Sequence, residues 1–393
     1  MKLLSPYRIY ILCCIFISGQ GFSDSLKVHG FVSQGIVQAV DSNFVDDDED
    51  VSFKLTEVGL NASYRINNNL RVAGQGVYLN GGNRYPEGLR IDYLFLDWQL
   101  LNSPNWKVKA QIGRNKNYHW LYSSTRDVPH TRPSIVLPQS LYFDAFRDVA
   151  LGVDGLVLIA TTDNDFGEWD VNFSIGKSKI SKQEQQNLLG KSVIGELNHE
   201  IDKQFSLYWR PKLSNMQWGI SILDADFKYD QALGDTFFDG DETSQRVMFN
   251  MLYQGEKWEF ASEIMKERVI VNNLLFPGYK SDATGEGGYL QSRFFATPDV
   301  TLMARLDLYD RDRKDRQGSQ IELLSGGMVP GYFGYMDQAT VGASWLFSKN
   351  IQIQAEYHRV KGTSRLAPFF TPDLIANDSK YWSMWAVQLM YWF

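Results

Sequence analysis

The chain has 393 residues, of which 44% are hydrophobic, 14% aromatic and 22% charged. Its mean hydropathy of -0.29 and the lack of any apolar run of about eighteen residues exclude a helical membrane protein. The formal net charge of -7 argues against nucleic acid as the main partner, because phosphate binding requires a basic surface.

The first 23 residues have the pattern of a secretory signal peptide. Lys2 and Arg8 form a basic start, residues 9–17 are apolar, and small residues precede a cleavage site after Ser23. The apolar stretch is too short to span a bilayer, which argues against the alternative of a membrane anchor. Both cysteines lie in this segment, so we expect an exported mature chain, residues 24–393, without disulfides.

The mature chain repeatedly alternates apolar and polar residues in segments of about ten, which is the period of a β-strand with two different faces. The segment Trp106–Gly113 is the clearest, with tryptophan, valine, alanine and isoleucine on one face. Similar segments recur at residues 169–176, 300–308, 339–347 and 351–358. A water-soluble β-sandwich would show the same period, so alternation alone leaves both architectures open.

The connections between the segments favour a barrel. Seven short turns alternate strictly with eight long polar loops, which predicts sixteen strands with both chain ends on the side of the turns. The turns are at 67–69, 102–105, 162–167, 213–215, 254–256, 298–299 and 348–350, and the loops at 41–50, 81–87, 115–148, 177–203, 231–242, 272–285, 311–335 and 361–379. This sorting predicts an all-β fold, a transmembrane antiparallel β-barrel with short periplasmic turns and long outer loops. Only a closed barrel lets strands pair all their backbone groups in hydrocarbon.

The aromatic residues also indicate a membrane location. Trp106, Trp169 and Trp258 lie next to short turns, where amphipathic rings prefer the boundary between membrane and water. The chain ends on Phe393, with Tyr391 two positions before it. This ending resembles the terminal strand signal by which the outer-membrane barrel assembly machinery recognises its substrates.

The whole mature chain resembles the sixteen-stranded, usually trimeric, bacterial outer-membrane porins. The segment Gly113–Tyr118 is similar to a strand-end motif of the phosphate-selective and related porin-like families. Residues 125–134 resemble an uncharacterised gammaproteobacterial porin-like branch, although the lysine-rich arrays of a dedicated phosphate channel are not evident. The resemblance implies a homotrimer in the cell outer membrane, in contact with outer-membrane lipid and lipopolysaccharide.

The third long loop, residues 115–148, is the expected pore constriction. Sixteen strands enclose a lumen too wide for side chains to fill, so selectivity depends on what narrows the pore and lines it. The resemblance implies that this loop folds into the barrel, and its apolar stretches 135–138 and 141–143 favour packing. The alternative is an external loop with solvated charges. The candidate constriction residues here are Arg114, Lys116, Arg126, Arg132, Asp144, Arg147 and Asp148, and the segment also carries Asp127.

The two-residue alternation of the strands, here called strand parity, predicts which charged residues lie on the facing wall of the lumen. The basic candidates are Lys109, Arg246, Arg293 and Arg305, and the acidic ones are Glu57, Asp170, Glu263 and Glu356. Opposite charges on the loop and the wall predict a transverse field that orients dipolar solutes. The slight basic excess near mid-height predicts a preference for anionic solutes.

The sequence gives little support for catalysis. None of the five histidines lies in an HExxH motif, and there is no Gly-x-Ser-x-Gly motif. His358 shares a polar strand face with Glu356, so we expect it to line the lumen. The acidic run 46–50 lacks the spacing of a Ca²⁺ loop and is expected to be solvated.

These observations predict a passive diffusion channel for small hydrophilic solutes that is not an enzyme and requires no cofactor or metal. Two alternatives stay open at this point. One is a barrel plugged by its loops that acts as a structural or surface-interaction protein. The other is a barrel hydrolase.

Overall fold

A computed structural model of the protein describes residues 25–147 and 152–393. Sixteen antiparallel strands, each paired with the next along the chain, form one sheet. The strands are β1 (Leu26–Val40), β2 (Thr56–Arg65), β3 (Leu70–Asn80), β4 (Gly88–Asn102), β5 (Trp106–Lys116), β6 (Gly152–Asn164), β7 (Gly167–Lys177), β8 (Glu196–Pro211), β9 (Met216–Asp230), β10 (Gly240–Gln254), β11 (Trp258–Asn272), β12 (Lys280–Phe295), β13 (Val300–Asp310), β14 (Tyr335–Ser348), β15 (Ile351–Lys361) and β16 (Tyr381–Trp392). The sheet closes because β1 pairs with both β2 and β16. The predicted fold class is therefore confirmed, whereas the signal peptide, residues 1–23, and Asp148 lie outside the described residues.

Short turns and long loops alternate between these strands as predicted. The fourth loop is shorter than the predicted 177–203, because β8 already begins at Glu196. A β-bulge between His199 and Ile201 interrupts the pairing with β9, and an extra residue of this kind shifts the two-residue alternation that the sequence pattern relies on.

Short helices lie in the long loops. The α-helices are α1 (Lys182–Leu189) and α2 (Ser319–Leu324), and the 3-10 helices are Gly82–Arg84, Pro129–Thr131, Asp144–Phe146 and Gly331–Gly334. Within the described ranges, no helix combines the length and apolar character needed to cross a bilayer.

The strands separate an apolar outer face from a mixed inner face. On β13, Leu302, Leu306 and Leu308 are exposed on the outside of the barrel, whereas Arg305 and Asp307 are buried on the inside. Because successive side chains of a strand point to opposite faces, this alternation directs every second residue into the barrel. The outer face is thus suited to hydrocarbon.

The main apolar core lies inside the barrel. It joins inward-facing wall residues such as Met248 and Met384 to Trp120, Leu137 and Tyr142, which belong to the connection between β5 and β6. We call residues 117–147 of this connection the third loop. Its starting point differs slightly from the predicted one, since β5 continues to residue 116.

Candidate functional site

The third loop is held inside the barrel by carboxylates of the wall, the first of which is Glu263 on β11. This buried side chain accepts hydrogen bonds from the backbone N–H of Leu121 at 2.9 Å and from the Tyr142 hydroxyl at 2.5 Å. The Tyr289 hydroxyl of β12 donates a third bond at 2.8 Å. The carboxylate therefore satisfies one backbone group and two phenols that would otherwise be buried without partners.

Glu356 on β15 holds a second point of the loop. Its carboxylate accepts hydrogen bonds from the backbone N–H groups of Ile135 and, at 3.3 Å, Val136. His358, two positions along the same inward face, lies with Nε2 3.1 Å from this carboxylate. His358 is fully buried, so it supports the Glu356 carboxylate rather than facing open solvent.

The opposite part of the wall also contacts the loop. The Tyr208 hydroxyl of β8 donates to the Tyr118 carbonyl at 2.9 Å. The Ser221 hydroxyl of β9 donates to the His119 carbonyl at 2.7 Å. These bonds, with those from β11 and β15, attach the third loop at several points around the circumference of the barrel.

Two further contacts complete the attachment. The Arg305 guanidinium on β13 donates to the Ser134 hydroxyl at 3.0 Å and to the Val136 carbonyl at 3.1 Å. On the other side, the His130 ring stacks on Trp392 of β16 with ring centroids 4.5 Å apart. Arg305, predicted as a lumen-facing residue, thus binds the loop directly.

A group of buried charged side chains lies where the third loop meets β2–β5, and we call it the charge cluster. Its members come from the third loop, the second loop (residues 81–87) and the neighbouring strands. They are Glu57, Arg84, Asp92, Lys116, Arg126, Asp127, Arg132, Asp144 and Arg147. Each of these side chains is at most 7% exposed, so the ion pairs are largely screened from water.

Ion pairs connect the members of the charge cluster. Arg132 binds Glu57 through two parallel hydrogen bonds of 3.0 and 2.5 Å, a bidentate geometry that suits guanidinium and carboxylate. Arg147 bonds to Asp127 and lies 3.7 Å from Glu57. The remaining pairs of the cluster are Lys116–Asp92, Lys116–Asp127 at 2.6 Å, Arg126–Asp144 at 2.5 Å and Arg84–Asp144 at 3.5 Å.

A β-bulge brings Asp92 into this cluster. Gln75 of β3 pairs with Tyr93 and the next residue, Gly76, pairs with Ile91, so Asp92 is the extra residue of β4. Its side chain accepts a hydrogen bond of 2.8 Å from the Gln75 amide inside the barrel. Bulges redirect side chains in this way, and no local sequence signal marks this one.

The charge environment shifts the pKa values of third-loop residues. Burial alone would raise the pKa of Asp127, but the charges of Arg147 and Lys116 outweigh it and hold that pKa well below its usual range. Burial, aided by the nearby Arg246 charge, lowers the pKa of His119 to about 3. At neutral pH, Asp127 is therefore ionised and His119 is neutral.

The structure brings together most of the predicted constriction residues of the loop. Lys116, Arg126, Arg132, Asp144 and Arg147 all belong to the charge cluster, where they face one another and the wall.

The predicted basic residues of the wall take different positions. Arg246 is paired with Glu267 at 2.6 Å, and Arg293 with Glu259 at 3.0 Å. Lys109 points inward next to Gln99 of β4 and has no ion-pair partner in the described part of the chain.

Arg114 lies elsewhere than predicted. Arg114 lies two positions after Ile112, which is exposed on the outer face, so both side chains point outward. On that face the Arg114 guanidinium lies 3.6 Å from the carboxylate of Asp154 on β6. The expectation that it belongs to the inner constriction does not match this position. The physical reason is that β5 continues past residue 114, so the two-residue alternation still applies there.

Sequence reasoning missed two inward-folding residues of the second loop. The side chains of Arg84 and Tyr85 are buried, and Arg84 contributes to the charge cluster. The Arg147 guanidinium stacks over the Tyr85 ring at 4.6 Å. A polar loop of this kind carries no periodic pattern, so nothing in the sequence distinguishes these residues from those of a solvated loop.

Comparison with known proteins supports the architecture. No protein-family model matches the chain, and the curated proteins contain no match either. Among solved structures, OmpT of Vibrio cholerae is similar, with a TM-score of 0.57 and 11% identity over 95% of this chain and 99% of that chain.

Two other solved structures are similar to this chain to the same degree. An anion-selective porin from Comamonas acidovorans gives a TM-score of 0.57 and 12% identity over 94% of this chain and 99% of that chain. Salmonella typhi OmpF, solved with daunomycin, gives a TM-score of 0.56 and 12% identity over 94% of this chain and 97% of that chain. The closed sheet of sixteen antiparallel strands gives this chain the same barrel fold as these solved porins.

Proposed function

We propose that the protein is an outer-membrane channel through which small hydrophilic solutes diffuse passively. The observation that carries the proposal is the exposure of charged side chains on the inner surface of the barrel, near the short turns. Arg71 and Arg210 face the inside of the barrel there, and their side chains are 43% and 38% exposed. Charged side chains that are exposed inside a barrel line water, as in channels. The third loop narrows this water-filled space from the outer side.

The charges of this inner surface support a preference for anions. Its acids Asp97 and Glu259 are each paired with an arginine, at 2.5 and 3.0 Å, and Glu168 and Asp170 share Arg210, at 3.2 and 2.7 Å. In contrast, Lys107 and Lys109 project into the same space and form no ion pair within the described ranges. Unpaired basic groups in a narrow space of low-dielectric walls attract anions. Phosphate, suggested by the sequence resemblance, is one anion to include in the test.

The protein is proposed to have no enzymatic activity. A hydrolase acting on membrane lipid would need its histidine at the lipid-facing boundary, whereas His358 is buried on the inner face of β15. His119 is likewise buried within the third loop. Neither histidine is placed to act as a base on a lipid ester.

A second candidate function is supported by the loop contacts. Hydrogen bonds connect the third loop to β2, β8, β11, β13 and β15, around the barrel rather than along one side. A loop held on all sides suits a plugged barrel that serves as a structural or surface-interaction protein.

Single-channel conductance of the purified protein in a planar bilayer under a KCl gradient separates the two candidates. We expect stepwise openings with a reversal potential of the anion-selective sign, and a repeat in potassium phosphate measures phosphate passage. A folded, heat-modifiable barrel that never conducts would overturn the channel and favour the plugged barrel. A clearly cation-selective reversal potential would end the anion preference alone.

Location and assembly are part of the proposal. The apolar outer face supports insertion into the outer membrane by the barrel assembly machinery, in contact with lipid and lipopolysaccharide. The similar Vibrio cholerae protein has been solved in a trimer form, which supports a homotrimer here. Membrane fractionation tests the location, and conductance steps that close in thirds would support the trimer.

A further inference from the structure

A small cavity lies inside the charge cluster. Its volume is about 10 Å³, which is enough for a single small occupant such as one water molecule. Its charged lining residues are Glu57, Arg84, Arg126, Arg132, Asp144 and Arg147. Four of these six are arginines, which remain protonated in proteins, so the walls of the cavity are predominantly positive.

The charge cluster as a whole is not neutral. It contains five basic side chains, namely four arginines and Lys116. It contains only four carboxylates, those of residues 57, 92, 127 and 144. All of them are buried. A buried charge without a counter-charge is strongly unfavourable, because the protein interior solvates it poorly. Within the cluster, basic side chains therefore outnumber carboxylates by one.

Two nitrogen atoms on the cavity-lining arginines also lack partners. Nη1 of Arg126 and Nε of Arg132 are buried and donate to no acceptor among the described residues. Both side chains are more than nine-tenths buried. Burial lowers the pKa of Arg126, and its pairing with Asp144 offsets this effect only in part. The excess of basic side chains and the unused donors thus coincide at one cavity.

We propose that this cavity binds a single monatomic anion of halide size, with chloride as the natural candidate. A water molecule would satisfy a donor but would add no negative charge. Phosphate and sulfate are too large for a space that admits one water-sized particle. The anion supplies an acceptor for the unused donors of Arg126 and Arg132, and it adds a negative charge to a cluster in which basic side chains outnumber carboxylates.

The position of the site gives the anion a structural role. Arg84 comes from the second loop, Arg126 and Arg132 come from the third loop, and Glu57 comes from β2 of the wall. An anion bound among them joins both loops to the wall at one point. Since a ligand that binds only the folded state stabilises that state, halide should raise the thermal stability of the barrel.

Bromide provides a direct test of occupancy, because it replaces chloride and scatters X-rays anomalously. Crystals of the full-length mature protein would be soaked in sodium bromide. We expect an anomalous difference peak within hydrogen-bond distance of the Arg126 guanidinium. A cavity that holds only water, or a cluster without a peak at high bromide concentration, would overturn the proposal.

A stability measurement tests the same site in solution. The midpoint of thermal unfolding of the detergent-solubilised protein would be compared in sodium bromide and in sodium gluconate at equal ionic strength. The matched pair of variants is Arg126→Gln, in the cluster, and Arg246→Gln, which removes an inward-facing arginine paired with Glu267 elsewhere in the barrel.

We expect bromide to raise the midpoint in a saturable manner for the wild type and for Arg246→Gln, and to have no specific effect on Arg126→Gln. An equal bromide response in both variants would contradict the assignment to this cavity. If Arg126→Gln does not fold, the wild-type titration decides alone, since equal midpoints in bromide and gluconate would refute the site.

Discussion

The carboxylate of Glu263 accepts a hydrogen bond of 2.5 Å from the hydroxyl of Tyr142, which lies 121 positions earlier in the chain. This contact joins β11 of the wall to the third loop. The same carboxylate accepts the backbone N–H of Leu121, so two separate parts of the loop depend on one wall residue. The position of the loop in the lumen is therefore linked to the Glu263 side chain.

Replacing Glu263 with glutamine should loosen the third loop. The amide retains the size of the carboxylate but places a neutral N–H₂ group where two tyrosine hydroxyls now donate. A buried donor left without its acceptor costs about 1–3 kcal/mol, so the loss is large enough to shift the loop without unfolding the barrel. We expect larger and noisier single-channel conductance. Glu286→Gln, at the outer rim, is the control, and equal conductance in both variants would contradict this role.

The buried pair of Glu57 and Arg132 should be important for stability. Glu57→Gln leaves the Arg132 guanidinium buried without its bidentate partner, and removing one member of a buried pair typically destabilises by about 3–5 kcal/mol. The midpoint of guanidinium unfolding should fall accordingly. Asp282→Asn, which breaks the exposed pair with Arg268, should change the midpoint far less. Similar losses in the two variants would show that burial of the first pair is not decisive.

His119 should make the stability of the barrel depend on pH. Because burial lowers its pKa to about 3 in the folded protein, the unfolded chain binds a proton at higher pH than the folded one. Its contribution to stability is therefore complete above about pH 6.5 and is lost as pH falls toward 3, with a limiting slope of about 1.4 kcal/mol per pH unit.

The free energy of unfolding, measured for the wild type and His119→Asn between pH 7 and pH 4, tests this pH dependence. The difference between the two curves should shrink as the pH falls, because the variant lacks the titrating group. Parallel curves would mean that His119 does not have its pKa lowered by burial in the third loop.

The inward-facing Lys109 should contribute to ion selectivity. Lys109→Glu reverses a charge that has no ion-pair partner within the described residues, so the reversal potential in a KCl gradient should move toward that of a cation-selective channel. Lys266→Glu makes the same charge change on the exposed outer face of β11 and serves as the control. A shift of equal size in both variants would indicate a general surface-charge effect rather than a lining residue.

Strand parity predicted much of the inner wall. Glu57, Glu263, Glu356 and Arg305 all face inward as their positions in alternating segments indicated. Parity is reliable because a β-strand directs every second side chain to the same face. The same rule accounts for Arg114. It still belongs to β5 and faces outward with Ile112, whereas the sequence analysis grouped it with the inward-folding loop.

The sequence by itself determined the number of strands, the closure into a barrel and the alternation of short turns with long loops. These features depend on local periodicity and on the spacing of turn residues, which one strand displays without its neighbours. The tertiary structure alone decided which residues meet inside. Arg84 of the second loop, the bulged Asp92 and Arg126 of the third loop are distant in sequence and carry no periodic signal. Their ion pairs form because burial inside the barrel penalises any charge that lacks a partner, and only the folded chain determines which partners are within reach.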